Sequence, residues 1–256
     1  MDIQLKEKFV ELWKKYFNNE ELPITFYYTD EEGHAQFVKP GSVSRCLIGA
    51  LSDVRKGKSY CLDINSIGCF GGKRYLGFDE RIMPNFEYFL SCGIPGKLEG
   101  ERYKKSPELV KEWIKKSHVF KAPARYAIFK RWDNLDDEDM PEVVIFFAKP
   151  DILSGLFTLA NFDVAEQNGV VTPMGAGCST IVQYPYLEKD SKNPRCVLGM
   201  FDVSARPHVP ESVLTFAVPM NKFRSMVENM EDSFLITNSW RYYSHHTHHN
   251  RGLLPR

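Results

Sequence analysis

Apolar side chains recur along this chain with two periods, one helical and one strand-like, and the two alternate. Ile3, Leu5, Phe9, Leu12, Trp13 and Phe17 keep a helical spacing among lysines and glutamates, which predicts an amphipathic helix over 3–17. Pro23 to Tyr28 is β-branched and aromatic and predicts a strand, closed by the turn residues Glu31-Glu32-Gly33. A second helix is expected over 43–55, capped by Ser42 or Ser44, with Leu47, Ala50, Leu51 and Val54 facing inward. Residues 61–77 read as glycine-rich and irregular. Ser106-Pro107-Glu108 joins a serine cap, a proline at the first helical position and an acid in the first turn, so a helix should run to about Lys116. Tyr126–Lys130 and Glu142–Phe147 are strand candidates on either side of an acidic loop from Asp133 to Asp139. Pro150-Asp151 should open a helix reaching about Phe162, and 171–184 is a Pro/Gly entry followed by an apolar segment. Strands are expected at Val197–Phe201 and Ser212–Val218, then a last helix near 221–230. Elements of both kinds alternate at irregular spacing, which predicts an α+β (mixed α/β) fold rather than a simple parallel sheet.

The two halves also resemble each other. Val38-Lys39-Pro40-Gly41 leads to Cys46, and Val171-Thr172-Pro173-Met174-Gly175 leads to Cys178. Tyr75-Leu76-Gly77-Phe78-Asp79 is similar to Val197-Leu198-Gly199-Met200-Phe201-Asp202, and Phe89 to Leu98 is similar to Leu214 to Phe223. The matches fall in the same order, the pattern expected of an internal duplication. It implies two lobes, 1–125 and 126–240, around a shared cleft, with an insertion from Cys61 to Arg74 in the first and a His-rich tail over 241–256. A single compact domain is the alternative.

Composition narrows the function classes. The 256 residues are 43% hydrophobic and 26% charged, and the formal net charge is +0. A neutral chain offers no global attraction to nucleic acid or an anionic membrane. The start, Met1-Asp2-Ile3-Gln4-Leu5-Lys6, lacks the basic and apolar regions of a secretory signal, and no run reaches the length of a membrane helix. A cytoplasmic location is expected, so the six cysteines should be thiols or metal ligands rather than disulfides.

Chemistry concentrates in the Cys/Gly segments. In Met174-Gly175-Ala176-Gly177-Cys178-Ser179-Thr180, Gly175 and Gly177 could take positive φ, and their amides could form an anion-binding nest ahead of a helix. A thiol placed there is expected to have a lowered pKa and to serve as nucleophile or metal ligand; a tight turn holding a buried Cys is the other reading. Gly68-Cys69-Phe70-Gly71-Gly72-Lys73-Arg74 is similar in character, its glycines followed by a basic pair suited to phosphate or carboxylate. Neither a Walker A nor a GxGxxG spacing is present, and there is no CxxC pair. Zinc or an iron–sulfur cluster would have to be assembled from distant segments, such as Cys46, Cys69 and Cys178. Asp202-Val203-Ser204-Ala205-Arg206-Pro207-His208 follows a strand end: Asp202 and His208 are candidate acid–base groups and Arg206 a carboxylate clamp. His245, His246, His248 and His249 could bind a transition metal, although a terminal tail is usually disordered.

Taken together, Arg45-Cys46, Cys69-Phe70-Gly71-Gly72, Pro141-Glu142-Val143-Val144, Gly175-Ala176-Gly177-Cys178 and Leu198-Gly199-Met200-Phe201-Asp202-Val203-Ser204-Ala205-Arg206 resemble the prokaryotic family called "domain of unknown function 169", over about residues 5–235. The resemblance carries no settled activity. It implies Cys46, Cys69, Cys178 and Arg206 as positions of interest. Some relatives carry Cys in place of Met200, so Met200 tells against a centre that needs a fourth thiolate from that strand.

Three functions follow as expectations. One is a binding protein that holds an anionic small molecule or a metal centre in a cleft lined by the Cys/Gly loops. Another is a thiol enzyme for acyl or other group transfer, with Cys178 as nucleophile. The third is a structural or partner-binding protein.

Overall fold

A computed structural model describes residues 1–32, 34–39, 46–118 and 120–241. The serine caps expected at 42 and 44 and the histidines of 245–249 lie outside the described residues.

The sheet is built from eight strands: β1 (Ile24–Thr29), β2 (Gln36–Phe37), β3 (Tyr60–Leu62), β4 (Tyr126–Arg131), β5 (Val143–Ala148), β6 (Val170–Val171), β7 (Cys196–Gly199) and β8 (Leu214–Pro219). Their order is β2-β3-β4-β1-β5-β8-β7-β6. The outer pairs β2·β3 and β6·β7 are parallel, and the inner pairs are antiparallel. This is the mixed α/β class expected from the sequence. Each parallel edge pair is joined through a helix, as a parallel connection requires. Between β2 and β3 lies α2 (Leu47–Arg55); between β6 and β7 a π turn at Ser179–Gln183 runs into α7 (Tyr184–Glu188).

The succession along the first four strands is therefore the same as along the last four, and the two sets meet at β1 and β5. β4 pairs with both β1 and β3, so the crossing from one set to the other falls in the 132–142 link. Two of the three sequence matches also join unlike structures. Tyr75 closes α3 (Phe70–Tyr75) and Phe89 closes α4 (Phe86–Phe89), whereas their partners lie in β7 and β8. Cys46 caps α2, and Cys178 is in the first turn of the helix that crosses from β6 to β7.

Hydrophobic burial puts helices on both faces. On one face α1 (Ile3–Phe17), α6 (Pro150–Ala160) and α8 (Met220–Asn229) close over Val144, Phe146, Phe216 and Val218. Phe9 and Trp13 of α1 meet Phe146, with ring centroids 6.2 Å and 5.1 Å away. On the other face α2 and the 177–188 helix cover Ile24, Phe26, Phe129, Ile145 and Val197. The link between β3 and β4 carries α3, α4 and α5 (Pro107–Lys116), and α4 packs on α5. Among the described residues no helix is long and apolar enough to cross a membrane.

Candidate functional site

The connections on this face enclose a cavity of about 1040 Å³, at the upper end of the range of small-molecule sites. Its lining comes from the start of α2, from α3 to α5, and from the segments 172–180 and 201–208. Cys46, Cys69 and Cys178 all line it, and each stands at a helix N-terminus: Cys46 and Cys69 as caps, Cys178 as second residue of the 177–188 helix. Three segments remote in sequence thus bring three thiols to one wall. Most other lining side chains are aromatic or aliphatic, among them Phe70, Met83, Phe86, Phe89, Trp113 and Phe201.

The glycines are needed for close packing. Neither Gly175 nor Gly177 takes the positive φ that was open to them, and Gly71 and Gly72 do not either. A Cβ on Gly72 would sit 2.9 Å from Cys69 Sγ and 2.8 Å from Ile67, and one on Gly177 would sit 2.9 Å from Ala205 Cβ and 3.1 Å from Met200 Sδ. On Gly175 it would meet Ser179 Oγ at 2.4 Å. Met200, fully buried, does lie in the left-handed region, with φ 71°. A non-glycine residue there is strained, and such strain gathers at functional sites.

The anion nest is filled by the chain itself. Gly177 N donates to Asp202 Oδ2 at 3.0 Å, while Ser204 N and Oγ donate to Oδ1 at 3.0 Å and 2.7 Å. Asp202 thus ties the 199–206 turn to the start of the 177–188 helix, where a carboxylate is favoured. Both oxygens of this acid–base candidate are thus engaged within the chain. Gly72 N likewise donates to Cys69 Sγ at 3.1 Å. The π turn after Cys178 leads to Pro185, which has no N–H to continue the α-helical ladder.

The surroundings of Cys178 disfavour ionisation of its thiol. Burial pushes its thiol well above the ordinary value of 9.0, and Cys69, Cys46 and Asp202 push in the same direction. Arg206 does not reach the cavity. Its guanidinium, expected as a clamp, donates to the carbonyls of Val213, Pro210 and Glu211 and locks the turn before β8. Lys73 is not part of the lining, whereas Arg74, Arg81, Lys104 and an exposed His208 are. Arg74 donates to the Glu80 carbonyl, and Arg81 is forked on Asp79. Among the described residues no three His, Cys, Asp or Glu side chains are grouped to hold a metal ion. The three thiols share a cavity wall without forming a closed cage.

Sequence reading missed the aromatic walls from α4 and α5, and it missed Tyr103. The Tyr103 hydroxyl is buried at the cavity beside Glu101 and Ser204, without a well-aligned hydrogen bond to either. The only sequence signal was aromatic density, as in Phe86-Glu87-Tyr88-Phe89. An orphaned hydroxyl costs about 1–3 kcal/mol. Tyr103→Phe is therefore expected to raise the stability of the unliganded protein by about 1 kcal/mol, read as a Tm increase of a few degrees.

No curated protein and no solved structure matches the chain. A family model does match it, over residues 14–229. The span includes Cys46, Cys69, Cys178 and nearly all of the sheet, so the chain belongs to the domain of unknown function 169 family, described as "Uncharacterised ArCR".

Proposed function

We propose that this protein binds a small organic anion with a large apolar body, seated in the 1040 Å³ cavity with one end against Cys46, Cys69 and Cys178. The observation that carries this reading is the convergence of the three thiols, from three separate helix starts, on one wall of an otherwise aromatic cavity. Arg74, Arg81, Lys104 and His208 in the lining favour an acidic group on the ligand. The orphaned Tyr103 hydroxyl supports a ligand acceptor at that point. Soft sulfur donors at one end suit a thiophilic metal or an electrophilic carbon carried by the ligand. A resident metal is less well supported, because the thiols alone do not form a cage. Catalysis with Cys178 as a nest-activated nucleophile is also less well supported, since its thiol is buried and held neutral at pH 7.

The repeated strand order supports a second reading, that the chain is an ancient duplication. In that reading Cys46 and Cys178 are equivalent positions, and Cys69 is the contribution of the longer first-half link.

Binding is testable with 1-anilinonaphthalene-8-sulfonate, an aromatic anion whose fluorescence rises in apolar sites. One molecule per chain is expected to bind. Phe201→Glu puts a negative charge on an exposed rim position and is expected to weaken binding at least about tenfold, or 1.4 kcal/mol, at unchanged Tm. No saturable binding to the folded protein, or equal binding by the variant, overturns the proposal.

A further inference from the structure

Two of the three thiols differ in access, and the difference gives them separate roles. Cys69 is half-buried and lines the cavity, its Sγ held by Gly72 N–H at 3.1 Å. Cys178 is 7% exposed and lies behind, with its Sγ 4.0 Å from where a Cβ on Gly71 would stand. The two sulfurs therefore rest against neighbouring residues of a single glycine pair. Cys69 is also the foremost electrostatic influence on Cys178 after burial itself. Cys46 lines the same cavity, whereas the other three cysteines are elsewhere: Cys92 is exposed, and Cys61 and Cys196 are buried in other clusters. Alanine at Gly72 would displace Cys69, so the backbone is shaped around that sulfur.

On the reading that the cavity thiols form one site, we propose that Cys69 and Cys178 are a dithiol pair that exchanges with a low-molecular-weight disulfide, Cys69 attacking and Cys178 resolving. Cys69, as thiolate, attacks one sulfur of the disulfide RSSR. The S–S bond breaks, and one RS⁻ leaves and takes a proton, so that a mixed disulfide remains on Cys69. Cys178 then loses its proton, attacks the Cys69 sulfur and expels the second RS⁻. Two protein thiols are oxidised by two electrons, and one disulfide is reduced to two thiols. Access selects Cys69 for the first attack, because RSSR enters through the cavity. Burial keeps Cys178 a thiol until the mixed disulfide is within reach.

The test uses the full chain, reduced and folded, treated with oxidised glutathione and followed by intact mass and peptide mapping. The wild type is expected to lose two hydrogens and to yield a Cys69–Cys178 link that dithiothreitol reverses. Cys178→Ser is expected to stop with one glutathione on Cys69, and Cys69→Ser to form neither product. A link through Cys46, glutathione on Cys92 alone, or no oxidation of the folded wild type overturns the proposal. Failure of the binding reading is seen separately: a protein that forms the link yet binds no anilinonaphthalene sulfonate refutes binding and keeps exchange. One that binds the dye without forming the link does the reverse.

Discussion

Asp139→Ala is expected to lower stability by about 3–5 kcal/mol, the cost of breaking a buried ion pair, measured by urea denaturation of the folded protein. Asp139 is fully buried on the face of the sheet away from the cavity, in the link between β4 and β5. It accepts from Lys130 Nζ at 2.8 Å, from the Asp136 amide at 2.8 Å and from the Tyr27 hydroxyl. Alanine strands the Tyr27 hydroxyl and the Asp136 amide and removes one of the two carboxylates that hold Lys130. Lys130, whose side chain is 4% exposed, keeps only the half-exposed Asp136 at 3.0 Å. The Tyr27 phenol is pushed above its ordinary range first by burial and then by Asp139. The knot fixes the link where the sheet passes from one set of strands to the other, so its loss should unfold the chain cooperatively. A drop below about 1 kcal/mol, typical of a surface pair, would contradict this account.

Cys178 is expected to react with iodoacetamide at pH 7 at least about a hundredfold more slowly than the exposed Cys92, because the thiolate is the nucleophile and burial disfavours it. The sign follows from proton binding. A thiol whose pKa is raised in the folded state stays protonated where the unfolded chain has ionised. Its contribution to stability is therefore complete below the ordinary value of 9.0 and is lost as pH rises above it. Cys61, pushed by burial to about 11, and Cys196, pushed to about 12, act in the same direction. Stability with respect to these groups should be flat below pH 9 and decline above it, while Cys178 labelling accelerates. Fast Cys178 labelling at pH 7 in the folded protein would restore the nest-activated nucleophile.

Much of the fold was legible because its elements carry strong periodic signals. The helix over 3–17, the strands at β1, β4 and β5, and the capped helix starting at Pro107 lie within a residue or two of expectation. The two-residue strands β2 and β6 have no period to read. The short α3 was hidden by Gly71 and Gly72, which weaken a helix in isolation, although Gly72 is imposed here by the sulfur of Cys69 and by Ile67. The cysteines of the site were legible as residue types, while their protonation was not. The glycine loop suggested an activated thiol, but Asp202 already occupies the helix amides and the sulfur is enclosed. Arg206 had the right chemistry and the wrong neighbours: three carbonyls of its own turn take its guanidinium. Long-range placement of this kind leaves no trace in local spacing.

The claim at the centre of this account is that Cys46, Cys69 and Cys178 form one site. Phenylarsine oxide tests it directly, because trivalent arsenic bridges two thiols only when both lie within reach. A variant with Cys61, Cys92 and Cys196 replaced by alanine should bind one equivalent tightly and resist monothiol competition, and replacing Cys69 and Cys178 as well should abolish binding. Failure of the folded trithiol variant to bind the arsenical, or equal binding after Cys69 and Cys178 are removed, would contradict the account.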